Sequence, residues 1–302
     1  MLDVIIIGGG PAGFTAALYT SRAKLDTLLL ERAYYGGQMA IASEMENYPG
    51  LESVSGSEVA DRMARQAAKF GTKMVMEEVL EVRLDTPVKV VKTDKNTYEA
   101  RTVILCMGAS PRRLGLPNEQ QLIGSGVSYC ATCDGAFFKD RDVAVVGGGD
   151  TAAEDVIYLS RFCRRIYLIH RRDKLRVTKI LEDLIFNTAN VSIIWDTVVE
   201  EIFGDLNVTG LGLKNLKTGE KTVLDVSGIF VAIGYSPNTA LVKGQVELTD
   251  YGYIKTDEKM QTNLEGVYAA GDIREKQLRQ VVTAASDGAE AAHSAEKYIN
   301  KM

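Results

Sequence analysis

The 302-residue sequence holds four cysteines and two histidines, and their spacing argues against a zinc site. Cys130 and Cys133 form one CxxC pair, but Cys106 and Cys163 stand alone and His170 and His293 show no ligand spacing. A zinc site would need two further ligands, and neither a second CxxC nor an HxxxH supplies them. Four cysteines with only one close pair do not make a disulfide scaffold either. No apolar run approaches the length needed to span a bilayer. The beginning of the chain has no charged stretch followed by an apolar stretch and a small-residue cleavage site. Positive charge is scarce as well: a formal net charge of -5 argues against general nucleic-acid binding, which needs a concentrated basic face. The remainder, 46% hydrophobic and 25% charged, has the balance of a soluble globular protein long enough for two domains. The cytoplasm is the expected location.

What is present centres on Tyr129, Cys130, Ala131, Thr132, Cys133, Asp134 and Gly135. Two cysteines at this spacing can open and close a disulfide within one turn of chain. Amide groups at a helix start would stabilise a thiolate there, and a lowered thiol pKa makes a cysteine reactive. Asp134 is placed to give or take a proton beside Cys133.

Two dinucleotide fingerprints flank or contain this stretch. Val4, Ile5, Ile6 and Ile7 are a continuous apolar run, as in a parallel strand covered on both faces. Gly8, Gly10 and Gly13 follow in GxGxxG positions, with Pro11 and Ala12 between them, and a helix is predicted over residues 12–22. Leu28, Leu29 and Leu30 form a second strand, with Glu31 at its end, 18 residues after Gly13. Glycines allow a tight turn and close approach of a pyrophosphate, the helix N-terminus faces its charge, and the acid binds a ribose 2'-hydroxyl. The second copy begins with a strand over residues 142–146. Gly147, Gly149 and Ala152 stand in GxGxxA positions before a helix over residues 151–161 and a strand over residues 166–169. In place of an acid it has His170, Arg171 and Arg172, with Arg176 beyond, and arginines grip a 2'-phosphate with paired donors. The first site suits an unphosphorylated ribose and the second suits NADPH. Two such folds with a dithiol between them imply one bound flavin and one exchangeable nicotinamide. Residues 262–272 read as a strand ending in Gly271 and Asp272, which places a carboxylate against ribityl or phosphate groups. Cys106, inside an apolar strand, reads as core.

The chain resembles the low-molecular-weight thioredoxin reductases over essentially its whole length. The matching blocks are residues 8–13, Gly36 with Gly37 and Gln38, residues 46–50, residues 130–135, residues 147–152, residues 170–173 with Arg176, Gly271 with Asp272, and Leu278 with Arg279 and Gln280. The resemblance implies an α/β fold of two Rossmann-like, three-layer ββα dinucleotide-binding domains, the second inserted in the first. The FAD domain would comprise residues 1–113 and 246–302, and the NADPH domain with the redox CxxC residues 114–245. Residues 111–117 and 242–246 would be the crossing strands. The family alternates between two domain orientations and is homodimeric.

On matching positions, Cys133 would be the thiol nearest the flavin, Cys130 the interchange thiol that attacks the disulfide of thioredoxin, and Asp134 the acid or base. Gly8, Gly10, Pro11, Ala12, Gly13, Glu31, Gly37, Gln38, Asn47, Gly271, Asp272, Arg279 and Gln280 would hold FAD. Gly148, Gly149, Asp150, Thr151, Glu154, His170, Arg171, Arg172 and Arg176 would hold NADPH. Two positions depart from the family: Ser286 replaces a usual glycine, and Tyr235 stands where many relatives carry histidine. A ferredoxin-fed reductase or a dithiol oxidase would lack the second glycine motif or its arginines. A non-enzymatic flavin sensor would have no need of Cys130, Cys133 and Asp134 together.

Overall fold

The computed structural model describes residues 1–42 and 44–302. The chain forms two compact units, one of Met1–Ser110 with Ser236–Met302 and one of Pro111–Tyr235. The second is therefore inserted in the first, and both are α/β. The divisions fall at 110/111 and 235/236, where the sequence reading put them at 113/114 and 245/246. The larger shift has a physical cause. Residues after 235 pack into the first unit: Asn238 Nδ2 donates to the Met107 carbonyl (2.8 Å), and the Gln245 amide bonds both the Leu84 N–H (3.0 Å) and the Val82 carbonyl (2.8 Å). Val242 and Val246 are buried in one cluster with Ile5 and Leu28. The crossing segments are Ala109–Pro111 and Tyr235–Pro237, which pair with each other, and not the stretches near 111–117 and 242–246.

In the first unit a seven-stranded sheet, counted among the described residues, forms the middle layer. Strand Leu2–Ile7 runs parallel to Thr27–Glu31 on one side and to Thr97–Leu105 on the other. Strand Thr97–Leu105 is shared. Its first half pairs antiparallel with Lys89–Thr93, and its last three residues pair parallel with Val267–Ala269. Helices Pro11–Arg22 and Val281–Ile299 cover one face, where Phe14, Ala16, Leu29, Ile104 and Ala291 are buried together. Every residue of the predicted first strand from Val4 to Ile7 is buried, as a parallel strand between two layers requires.

The second unit repeats the plan on a smaller scale. Its parallel sheet runs in the order Val191–Ile194, Arg165–Ile169, Asp142–Gly147, Gly228–Ala232, Val127–Ser128. Helix Asp150–Leu159 covers one face, and an antiparallel meander of Thr197–Phe203, Gly210–Asn215 and Lys221–Leu224 covers the other. The predicted strands and helices of both fingerprints form within two residues of their expected ends.

The two helices of the first unit come close enough to exclude side chains. A Cβ on Gly288 would lie 2.2 Å from the Ala12 carbonyl oxygen, and neither backbone can give way without disturbing its own helix. Gly288→Ala should cost about 1–3 kcal/mol of stability as an overpacked contact. Chemical denaturation of the variant beside the parent protein measures this directly.

Candidate functional site

In the first unit the sharp turn after the first strand depends on glycine. Gly8 has φ +110°, and a Cβ on Gly13 would meet the Gly8 carbonyl oxygen at 1.9 Å. Gly10 caps helix Pro11–Arg22 with no side-chain bond, Pro11 occupies the first helical position, and no acid stands in the first turn. These N–H groups are left for an anion. Glu31 lies beside them: its Oε2 accepts the Gly9 N–H (2.8 Å), and its Oε1 accepts the Arg32 (2.7 Å) and Ala33 (3.2 Å) N–H groups. Gly37, also at positive φ, approaches Gly10 closely, and Gln38 is exposed on the same turn.

The C-terminal segment returns to this turn. Gly271, at φ +80°, packs on Ala12, where a Cβ would lie 3.0 Å from the alanine Cβ. Asp272 and Arg279 follow, and Asp272 Oδ1 and Arg279 Nε are the two buried side-chain atoms without a partner among the described residues. The Arg279 guanidinium sits 4.4 Å over the Tyr253 ring. Burial raises the Asp272 carboxyl above its ordinary pKa, against the pull of Lys276 and Arg279. Gln280 caps the last helix through a capping box and accepts from Asn47 Nδ2 (3.1 Å). Thus Glu31 and Gly271 lie against the start of helix Pro11–Arg22, and Asn47 joins Gln280 at the start of helix Val281–Ile299.

In the second unit Cys130 and Cys133 are joined in a disulfide, with Cα atoms 5.3 Å apart. A one-turn helix, Ala131–Asp134, starts at Cys130, whose carbonyl accepts the Cys133 and Asp134 N–H groups. Ser128, buried at 4% exposure, ties the pieces together. Its Oγ donates to Asp134 Oδ2 (2.6 Å) and accepts the Cys130 N–H (3.1 Å). Burial pushes the Asp134 carboxyl above its usual range, while the Ser128 hydroxyl pulls it down. The chain just before Cys130 is also held: the Tyr235 hydroxyl donates to the Tyr129 carbonyl (2.6 Å), and the Tyr129 hydroxyl donates to Glu119 Oε1 (2.8 Å). Glu119, 2% exposed, also accepts the Leu114, Gly115 and Leu116 N–H groups.

The second glycine turn is built like the first, with a difference underneath. Gly149 caps helix Asp150–Leu159 without a side-chain bond. His170 is buried, and a Cβ on Gly148 would meet its ring at 2.1 Å, so the imidazole forms the floor of the turn. Burial and the Arg172 and Arg171 charges lower its pKa against its backbone hydrogen bonds. Arg176 is brought to the turn by its own backbone, through its N–H to the Gly148 carbonyl (2.7 Å) and a bridge to Gly149. Arg171, Arg172 and Arg176 are exposed, and among the described residues none of them makes an ion pair. Asp150 Oδ1 accepts the Thr178 N–H (3.2 Å), and Thr151 and Glu154 are exposed on the first helical turn.

Residues 2–288 match the family model described as pyridine nucleotide-disulphide oxidoreductase. The chain belongs to this family. It is 50% identical to a thioredoxin reductase of Peptoclostridium acidaminophilum over 304 residues, covering 98% of this chain and 96% of that one. It is 48% identical to a thioredoxin reductase of Listeria monocytogenes, covering 99% and 94%. A solved structure of thioredoxin reductase from Streptococcus pyogenes superposes with a TM-score of 0.95 at 43% identity, covering 100% of this chain and 99% of that one. Thioredoxin reductases of this family use FAD and NADPH.

In this oxidoreductase, the cysteines, Asp134, the glycines and the arginines named from spacing lie at the dithiol helix and the two glycine turns. Spacing missed Ser128, Glu119 and Asp287, whose roles rest on contacts that it does not mark. Cys106 is buried in the core with Ala12, and burial and Asp287 push its thiol pKa up. Cys163 is buried as well, its pKa raised to about 11.

Two titrations test these environments. Ser128→Ala removes the one bond that lowers the Asp134 pKa, so Asp134 should hold its proton to higher pH than in the parent, and Ser128→Thr should restore the parent titration. Carboxyl chemical shifts across pH report both. Asp155, partly buried, has its pKa raised to about 7 by burial first and by Glu154 second. A raised folded pKa contributes stability below the unfolded value of 3.8 that is lost as pH rises through about 7. Asp155→Asn should therefore gain stability over the parent at pH 8, and the gain should shrink steadily between pH 7 and pH 4 in thermal melts.

Proposed function

We propose that this protein is a thioredoxin-disulfide reductase whose redox group is Cys130–Cys133, with FAD held by the first unit and NADPH by the second. One observation carries the reading: a closed disulfide at a helix start, beside a carboxyl made to hold a proton, inside a unit with its own nucleotide-binding turn.

The residues of the first unit fit a flavin nucleotide. The uncapped N–H groups after Gly10 face phosphate, and Glu31 accepts sugar hydroxyls. The orphaned Asp272 Oδ1 and Arg279 Nε, opposite in character, are buried atoms that await polar partners. Asn47 and Gln280 brace that side of the site, and Gly8, Gly13, Gly37 and Gly271 let the backbone come close. In the second unit the turn at Gly148 and Gly149 fits a pyrophosphate, with His170 supporting it from below. Arg171, Arg172 and Arg176 are the free cations for a 2'-phosphate, so NADPH is the donor this surface favours over ferredoxin. Asp150, Thr151 and Glu154 line the same helix start.

When bound, NADPH supplies a hydride and FAD passes on its two electrons; the remainder is thiol chemistry of this chain. Two electrons open the Cys130–Cys133 bond to a dithiol. The Cys130 thiolate then attacks one sulfur of the thioredoxin disulfide, forming a mixed disulfide and releasing the other thioredoxin sulfur as a thiolate. Asp134 donates a proton to the departing sulfur. Cys133 attacks the Cys130 sulfur in turn, which remakes Cys130–Cys133 and frees the second thioredoxin thiol. Two electrons and two protons leave with thioredoxin, and the chain returns to the disulfide state. Burial raises the proton affinity of Asp134, the direction this role needs, and the Ser128 bond opposes it. No helix among the described residues is long and apolar enough to cross a membrane, and we read the protein as a cytoplasmic homodimer on the family resemblance.

Anaerobic titration with NADPH should bleach the flavin band near stoichiometry; an unbleached flavin would overturn the donor assignment. Cys130→Ser and Cys133→Ser should each abolish thioredoxin turnover while leaving that bleaching intact. Each arginine replaced by alanine at 171 or 176 should raise the KM for NADPH by about tenfold and leave that for NADH alone, as loss of a charge-assisted hydrogen bond predicts.

A further inference from the structure

Asp272, Arg274, Glu275, Lys276 and Arg279 follow the turn at Gly271, and a sixth charged side chain, Asp287, faces it from the last helix. Asp287, on the inner face of helix Val281–Ile299, is 8% exposed. Its Oδ2 accepts the Gly271 N–H (3.0 Å) and the Lys276 Nζ (2.8 Å). Arg274 lies farther off, with Nη1 at 3.4 Å from Oδ2, and spends its Nε on Thr256 Oγ1 (2.8 Å). The Lys276 side chain is 8% exposed, so this is a buried ion pair.

A buried ion pair is a poor way to gain stability, because desolvating both charges offsets most of their attraction. An apolar pair of the same volume would hold helix to turn equally well. What an apolar pair cannot do is accept the Gly271 N–H. That amide belongs to a residue at φ +80°, pressed against Ala12, and the next residue is Asp272 with its orphaned buried oxygen. The held N–H lies in the Ala270–Gly271 peptide, so Asp287 fixes where the turn at Gly271 starts, and through the φ of +80° it fixes where that turn delivers Asp272.

We propose that Asp287 is a positioning residue for flavin binding: by accepting the Gly271 N–H it aims the Asp272 carboxylate at the nucleotide, and Lys276, with Arg274 farther off, supplies the counter-charge that lets it do so from inside the core. The inference rests on the reading of the first unit as the FAD site. It assigns Asp287 no contact with the cofactor. Its acceptor oxygen is the functional part and its charge is incidental. Asparagine, with the lysine charge removed at the same time, should therefore replace it.

The experiment compares two double variants that differ only at position 287. Asp287→Asn with Lys276→Met keeps an acceptor for Gly271; Asp287→Leu with Lys276→Met keeps the volume and loses the acceptor. FAD release from the purified holoproteins is followed by the recovery of flavin fluorescence on dilution, and the apoproteins are melted in parallel. The Asn variant should hold FAD within about threefold of the parent, and the Leu variant should hold it at least about tenfold more weakly, with the two apoproteins melting together. Equal FAD affinity in the two variants overturns the inference, as does a difference in affinity matched by a loss of apoprotein melting temperature. Asp287→Ala with Lys276→Met serves the same comparison if the leucine variant does not fold. A parent protein that holds no FAD would overturn the function proposed above, a result distinct from either.

Discussion

Three stretches of backbone meet at Ala12, and they can do so because two of them carry no side chain at the point of contact. Gly271 and Gly288 approach from the C-terminal segment, and Gly13 lies against the Gly8 carbonyl one residue away. With any larger residue there, the last helix would stand off from the first and the turn bearing Asp272 would be carried away from the helix N-terminus. The nucleotide-binding character of the first unit is therefore a packing consequence before it is a chemical one. Uncapped amides, Glu31 and the orphaned atoms of Asp272 and Arg279 are useful only because this contact brings them together.

The dithiol depends on a different kind of constraint. The four residues from Cys130 to Cys133 are anchored by Ala131, buried in the core of the second unit, and by hydrogen bonds from neighbouring segments. Ser128 fixes the near side through the Cys130 N–H and the Asp134 carboxylate. Tyr235 and Glu119 fix the approach through the Tyr129 carbonyl and hydroxyl. The Tyr235 hydroxyl thus bonds the residue directly before Cys130. The same few atoms set the proton affinity of Asp134, so anchoring and acid–base behaviour cannot be altered separately there.

Much of this was legible before any coordinates. Apolar runs such as residues 4–7, followed at once by glycines and a helical pattern, announce a strand, turn and helix because each feature is local. The cysteine pair and the arginines after the second fingerprint are local in the same sense. The boundary near 235 was not legible, because the sequence around Val242 and Val246 is as apolar as a crossing strand; only its hydrogen bonds to Val82, Leu84 and Met107 assign it to the first unit. His170 stands beside the arginines in sequence, and only the structure shows it buried beneath Gly148. Asp287, Ser128 and Glu119 act through partners 6 to 16 residues away or through main-chain atoms, and no spacing rule registers such bonds.

The insertion has a consequence for how the chain is made. The second unit is continuous, so all its strands are available once residue 235 has been synthesised. The first unit must wait: strand Thr97–Leu105 lacks its neighbour Val267–Ala269, and helix Pro11–Arg22 lacks its cover Val281–Ile299, until those later segments are made. During that interval an apolar sheet face stands open to water, and pairings this distant in sequence close slowly. The inserted unit is thus the one positioned to fold first on the ribosome, and the outer unit is where a newly made chain is most exposed to aggregation.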